Sequence, residues 1–344
     1  MYKQVIYTLL LFYCWGCKNI QSSNNSVTPA FYHWKTSFNP SQYETNMLQQ
    51  NNVKHIYLRF FDVAWDATFS KPTPIAQVRI TDTSFKKSNT QIIPTVFITN
   101  ECIHYIRPEQ CRPLAENIYK LVSDVIATNN IDSIKEVQID CDWTATTKEK
   151  YFTILSELQK IDTAHLYSAT IRLFQVKYAA ESGIPPVKKG LLMCYNMGNL
   201  KSPAAKNSIL NPEEVKKYTA SLDKYPLPLD VALPLFQWFV LFRQGAYAGL
   251  VQNISVQEIK KISKETSTNR FEIINDTSLR NVNLKKRDIL RLEDCSYNNI
   301  IQTASILKQK LSNENRRLVL YHLDSLTLSK YSAYEIESIF YSLH

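Results

Sequence analysis

The stretch Val137-Gln138-Ile139-Asp140-Cys141-Asp142-Trp143 ends an apolar run with two carboxylates and an indole. In extended backbone successive side chains point to opposite faces, so Val137, Ile139 and Cys141 form an apolar row while Gln138, Asp140 and Asp142 form a polar one. Two carboxylates at the end of a buried strand point to a site at the strand's C-terminal mouth without naming its reaction, and they equally suit the neutralisation of buried arginines. Asp140, the deeper of the two, reads as a structural partner for Arg172 or Arg59. Asp142, nearer the strand end, reads either as a ligand-contacting or catalytic group or as a second ion-pair member. Breaking a buried pair costs ~3–5 kcal/mol, so Asp140→Asn is expected to lose stability first. Asp142→Asn is expected to fold normally and lose function.

Other residues could complete a site. Arg172 alternates with Ser168 and Thr170 and should share a face with the aspartates; Tyr195 and Asn196 could hold sugar hydroxyls, or pack and cap. Trp34, Trp143 and Trp238 lie near strand ends as candidate stacking platforms, with one of the three expected in the core. Glu101 and Glu293 are the candidate acids to work with Asp142, the alternative for each being an exposed loop carboxylate. His322 and Asp324 resemble half of a catalytic or metal pair, but no third ligand follows in metal spacing, so neither metal nor cofactor is expected.

The elements that must position these groups are eight apolar strand-like runs, at 30–34, 55–62, 92–98, 137–143, 166–173, 190–196, 230–238 and 317–324. Helical patterns separate most of them: one starting near Asn39-Pro40, then 113–129, 148–161, 212–222 capped by Asn211, 297–311 and 333–343. Such alternation predicts an α/β fold, a (β/α)8 TIM-type barrel in one domain, with its site at the C-terminal mouth of the strands. Residues 64–89 read as an extended loop or short hairpin rather than a crossover helix, residues 257–263 as helical, and 271–274 as an extra strand. Pro234 would cost a ladder bond within the seventh run, which predicts a bulge or irregularity there.

The chain begins with Lys3, an apolar run at 5–13 and Cys14-Trp15-Gly16-Cys17, which resembles a bacterial lipoprotein signal ending in a lipobox, although Cys14 stands where an aliphatic residue is usual. The resemblance implies a signal peptide at 1–16, a lipidated Cys17 with a polar tether at 17–28, and a barrel at 29–344. Lys18 after the anchor is not the acidic signal expected for surface export, so a membrane-anchored, periplasm-facing place in the cell envelope is expected. The formal charge of +9 is scattered apart from Lys285-Lys286-Arg287 and, with an envelope address, argues against nucleic acid. Cys102 and Cys111 flank a presumed loop and are expected to form a disulfide in an oxidising compartment, worth about 3 kcal/mol or less. A monomer is expected.

Asp140-Cys141-Asp142-Trp143 is similar to the end of the chitinase-type strand-four motif D-x-x-D-x-D-x-E, and Met193-Cys194-Tyr195-Asn196 is similar to that superfamily's strand-six M-x-Y-D. Val137 replaces the first aspartate, Thr144 the catalytic glutamate and Asn196 the strand-six aspartate. The usual acid for the leaving oxygen is therefore missing. A wider resemblance, over nearly all of the chain after the signal, is to a family of Bacteroidetes-type envelope lipoproteins without an established reaction. It rests on Phe60-Phe61-Asp62-Val63, Ser168-Ala169-Thr170-Ile171-Arg172-Leu173, Gly183-Ile184-Pro185-Pro186-Val187, Tyr195-Asn196-Met197-Gly198 and Ala232-Leu233-Pro234-Leu235-Phe236, besides the strand-four block. It implies a (β/α)8 fold. Two functions follow as expectations: a lipid-anchored barrel that binds, or binds and hydrolyses, a carbohydrate or cell-wall glycan at the mouth, or a non-catalytic glycan-binding or scaffold lipoprotein.

Overall fold

The computed structural model describes residues 26–81, 90–132, 134–311 and 315–344. Eight parallel strands follow the chain: β1 (Val27–His33), β2 (His55–Asp66), β3 (Gln91–Ile98), β4 (Glu136–Cys141), β5 (Leu166–Arg172), β6 (Lys189–Met193), β7 (Leu229–Pro234) and β8 (Arg316–Tyr321). The sheet closes because β1 pairs with both β8 and β2. The expected (β/α)8 barrel is the fold found. Every residue of β4 is buried, since helices cover its outer row and the lumen encloses its inner row.

The lumen is filled in polar layers. At the bottom, Arg317 donates to Glu136 (2.5 Å) and Tyr57 (2.9 Å), while Lys189 pairs with Asp230 (2.6 Å). Above that, the Tyr32 hydroxyl donates to Gln138. Nearest the mouth, Thr170 Oγ1 donates to Asp140 at 2.6 Å. Outside the barrel, α1 (Gln42–Gln50) starts on a capping box between Ser41 and Glu44, α2 (Asn100–Tyr105) is capped by Thr99, and α3 (Cys111–Thr128) buries Leu114, Ile118, Val122 and Val125. α4 (Lys148–Ile161) lays Tyr151 onto β4, its hydroxyl reaching the Ile139 carbonyl at 2.9 Å.

Several expectations need correction. β7 stops at Pro234, and because the proline is terminal no bulge is needed: its register with β8 runs unbroken. The chain then builds an inserted antiparallel sheet in the order 246–251, 238–243, 289–293, 270–273, 263–267, with its own core of Phe239, Leu241, Phe271, Ile273 and Leu290. The domain expected as a plain barrel over 29–344 thus carries a five-stranded insertion before the helix Tyr297–Lys308. The segment after β2 is a hairpin as far as it is described, with Lys71–Ile75 returning antiparallel. Cys102 and Cys111 are free thiols, buried within α2 and at the start of α3. What read as a loop is helical there, so each thiol packs in the core and burial pushes Cys102 up to about 12. Cys17 and the signal lie outside the described residues.

Candidate ligand-binding cleft

Where β4 meets β5, the register pairs Gln138 with Ser168 and Ile139 with Ala169. Continuing it sets Thr170 beside Asp140 and Arg172 beside Asp142, and the side-chain bonds follow that order. Arg172 Nε donates to Asp142, not to Asp140, and Arg59 is taken by Asp62 through Nε at 2.6 Å. The expected assignment of Asp140 as the arginine's bonded partner is therefore corrected. Asp140 keeps only 3% of its surface exposed. Burial raises its carboxyl to about 6; Arg172 nearby and the Thr170 bond act against this, and Asp142 adds to it. Arg172 is pulled down by burial, but Asp142 and Asp140 more than offset this and hold it above its usual value.

A cavity of about 420 Å³ opens at the mouth above Asp140. Trp34, Phe97, Tyr195, Phe236, Trp238 and Tyr321 give it aromatic walls. Their rings form a chain of contacts: Trp34 to Phe97 at 6.2 Å, Tyr195 to Tyr321 at 5.5 Å, and Phe236 to Trp238 at 5.2 Å. Among the described residues, the buried Tyr195 hydroxyl and His322 Nδ1 have no hydrogen-bond partner, and both side chains line this cavity. Burial lowers His322 to about 4, with Asp324 working against that and Lys35 adding to it, so the imidazole is neutral at pH 7. Asp324 is occupied by Lys35 (2.5 Å) and by capping Thr327 (3.0 Å). No group of three or more His, Cys, Asp or Glu side chains among the described residues is placed to hold a metal ion.

A second cavity of about 390 Å³ adjoins the first and shares Arg172, Tyr195 and Asn196 with it. Asp142, Asn100, Thr144 and Phe174 line it. Asn196 turns the chain there at φ +58, a left-handed conformation that asparagine tolerates. Thr144, at the motif's glutamate position, has its amide bound to Thr147 Oγ1 at 2.9 Å and offers no carboxyl.

The remaining sequence candidates do not enter the cleft. Trp143 has no exposed surface; it stacks on Tyr151 at 5.0 Å and donates to the Ser182 carbonyl at 2.9 Å, so it is the core tryptophan of the three. Glu101 is exposed in the first turn of α2 and lines neither cavity. Glu293 is neither an acid in the cleft nor a loop residue: it is wholly buried at the end of an insertion strand and ion-paired with Arg291 at 2.6 Å. Sequence reading missed Phe97, Phe236 and Tyr321. Phe97 lies two positions after Thr95 on β3, so alternation carried the signal; Phe236 lies just beyond the end of β7 and Tyr321 ends β8, and neither carried a signal beyond its type.

No protein-family model and no curated protein matches the chain. Similar folds occur in the spore cortex-lytic enzyme SleL of Bacillus cereus (TM-score 0.53, 12% identity, 92% of this chain and 74% of that one). They also occur in a chitinase from Chromobacterium violaceum (0.52, 8%, 91% and 98%) and one from Bacteroides thetaiotaomicron (0.55, 12%, 92% and 97%). At these identities the likeness is one of fold alone, the (β/α)8 barrel.

Proposed function

We propose that this protein is a glycan-binding barrel held in the cell envelope by a lipid on Cys17, and that it binds its carbohydrate without cleaving it. The observation that carries the reading is the aromatic cleft at the strand ends, where indole and phenol faces can pack on sugar rings while Asp140, Arg172 and Asn196 supply polar contacts. Chitinases and a cortex-lytic enzyme share the fold, which favours a chitin-like or cell-wall glycan as ligand. Against cleavage stands Thr144: with Glu101 outside both cavities and Glu293 locked in its ion pair, neither candidate acid reaches a leaving oxygen. The full chain should be mixed with chitin and with peptidoglycan, measuring both retention and release of reducing ends. Saturable retention that Trp34→Ala and Trp238→Ala weaken, without reducing ends, is expected. Release of reducing ends would sink the non-catalytic part, and no retention on either polymer would sink the whole.

A further inference from the structure

Glu293 does no chemistry in the cleft, yet its two oxygens take four bonds. Arg291 Nε (2.8 Å) and Nη2 (2.6 Å) donate to Oε1; Ser208 Oγ (2.5 Å) and Trp238 Nε1 (2.8 Å) donate to Oε2. Arg291, itself buried, also donates to the carbonyls of Ser202 (2.5 Å) and Leu200 (3.0 Å). Those carbonyls belong to the loop that leaves β6 through Asn196. The loop is folded back on itself by bonds from Asn196 N to Ile209 O (2.8 Å) and Gly198 N to Ser208 O (3.2 Å). The fit is close, for a Cβ on Gly198 would stand 2.7 Å from Ser208 Cα. One carboxylate therefore joins the insertion, through Arg291 and Trp238, to the loop carrying Asn196 and Met197, and of these Trp238, Asn196 and Met197 line the two cavities.

We propose that Glu293 is a positioning residue for the cleft, fixing the Trp238 indole and the 196–209 loop so that the site is preformed before ligand arrives. The ligand itself rests on the glycan-binding reading, but the positioning does not. A carboxylate is required because both oxygens must accept: glutamine would turn an amide donor toward either the guanidinium or the Ser208 and Trp238 donors, leaving buried donors unpaired. The competing account is that packing against Phe236 alone holds Trp238.

The test uses the full chain, with Trp238 emission taken as the difference between each protein and its Trp238→Phe counterpart. Acrylamide quenching and titration with N-acetylglucosamine tetrasaccharide are then measured for Glu293→Gln and Ser208→Ala. With buried donors left unpaired, quenching of Trp238 should rise and tetrasaccharide affinity fall about tenfold in Glu293→Gln, equivalent to about 1.4 kcal/mol, and less in Ser208→Ala. Unchanged Trp238 quenching in variants that keep their far-ultraviolet circular dichroism would overturn the proposal. Should Glu293→Gln not fold, the quenching of Ser208→Ala decides alone. Should the tetrasaccharide bind not even the unaltered protein, the glycan reading loses support while the quenching still decides the positioning.

Discussion

Asp140 and Asp142 stand two residues apart on one strand end, and their neighbours divide the work between them. Alternation placed both on the lumen face and set Asp142 nearer the mouth, where its side chain is 31% exposed. The partner of Arg172 was not legible, because it depends on the register of β4 against β5, which no single strand encodes. Asp140 folds with its carboxyl raised from 3.8 to about 6, so between those values the folded chain binds more protons than the unfolded one. Stability from this group is therefore full below about pH 4 and is lost as pH rises through about 6. Asp140→Asn should consequently melt at or above the parent temperature at pH 7.5, with the difference gone at pH 4, a reversal of the loss expected from alternation alone. Asp142→Asn should instead lower the melting temperature at pH 7.5, at a cost of about 1–3 kcal/mol, because it leaves Arg172 without its bonded carboxylate. A fall in stability for Asp140→Asn at neutral pH, exceeding that of Asp142→Asn, would contradict both assignments.

At the level of elements, the eight strands were legible because each is a dense apolar run buried on both sides, and helices such as Lys148–Ile161 announced themselves by period. The insertion was not, since its strands are short, one of its edges (Ser263–Ser267) is almost wholly polar, and its pairings join segments far apart in sequence. The seventh run, 230–238, reached across the gap to Trp238, where the insertion's first strand begins, because only Gln237 interrupts the apolar residues after Pro234 and periodicity marks no break. Close packing between strands yields its own prediction. A Cβ on Gly190 of β6 would lie 2.7 Å from Ile171 Cγ1 and 2.8 Å from Leu229 Cδ2, the side chains of both neighbouring strands. Gly190→Ala should cost about 1–3 kcal/mol by overpacking, read as a lower urea midpoint with unchanged slope. Trp143→Ala should cost more, about 3–5 kcal/mol, and chemical denaturation of the two variants side by side would show whether the indole is the core residue its contacts make it.

For the molecule as a whole, the proposed envelope address rests on Cys17, and Cys17→Ser is expected to abolish incorporation of an alkyne fatty acid and leave the precursor uncleaved. Persistent labelling would refute the anchor. The direction of β1 then has a consequence for how the protein meets its surroundings. β1 runs from Val27 at the bottom layer of the lumen up to His33 beside the aromatic cleft, so the chain enters the barrel on the face opposite the site. Cys17 and Val27 stand ten positions apart, a reach of at most about 36 Å. A lipid at Cys17 would hold the bottom of the barrel toward the bilayer and turn the cleft outward, into the space where a polymer network lies rather than toward the lipid headgroups. A fluorophore on Lys54→Cys, beside the lower end of β2, should therefore be quenched by lipid-borne quencher more strongly than one on Lys35→Cys at the rim.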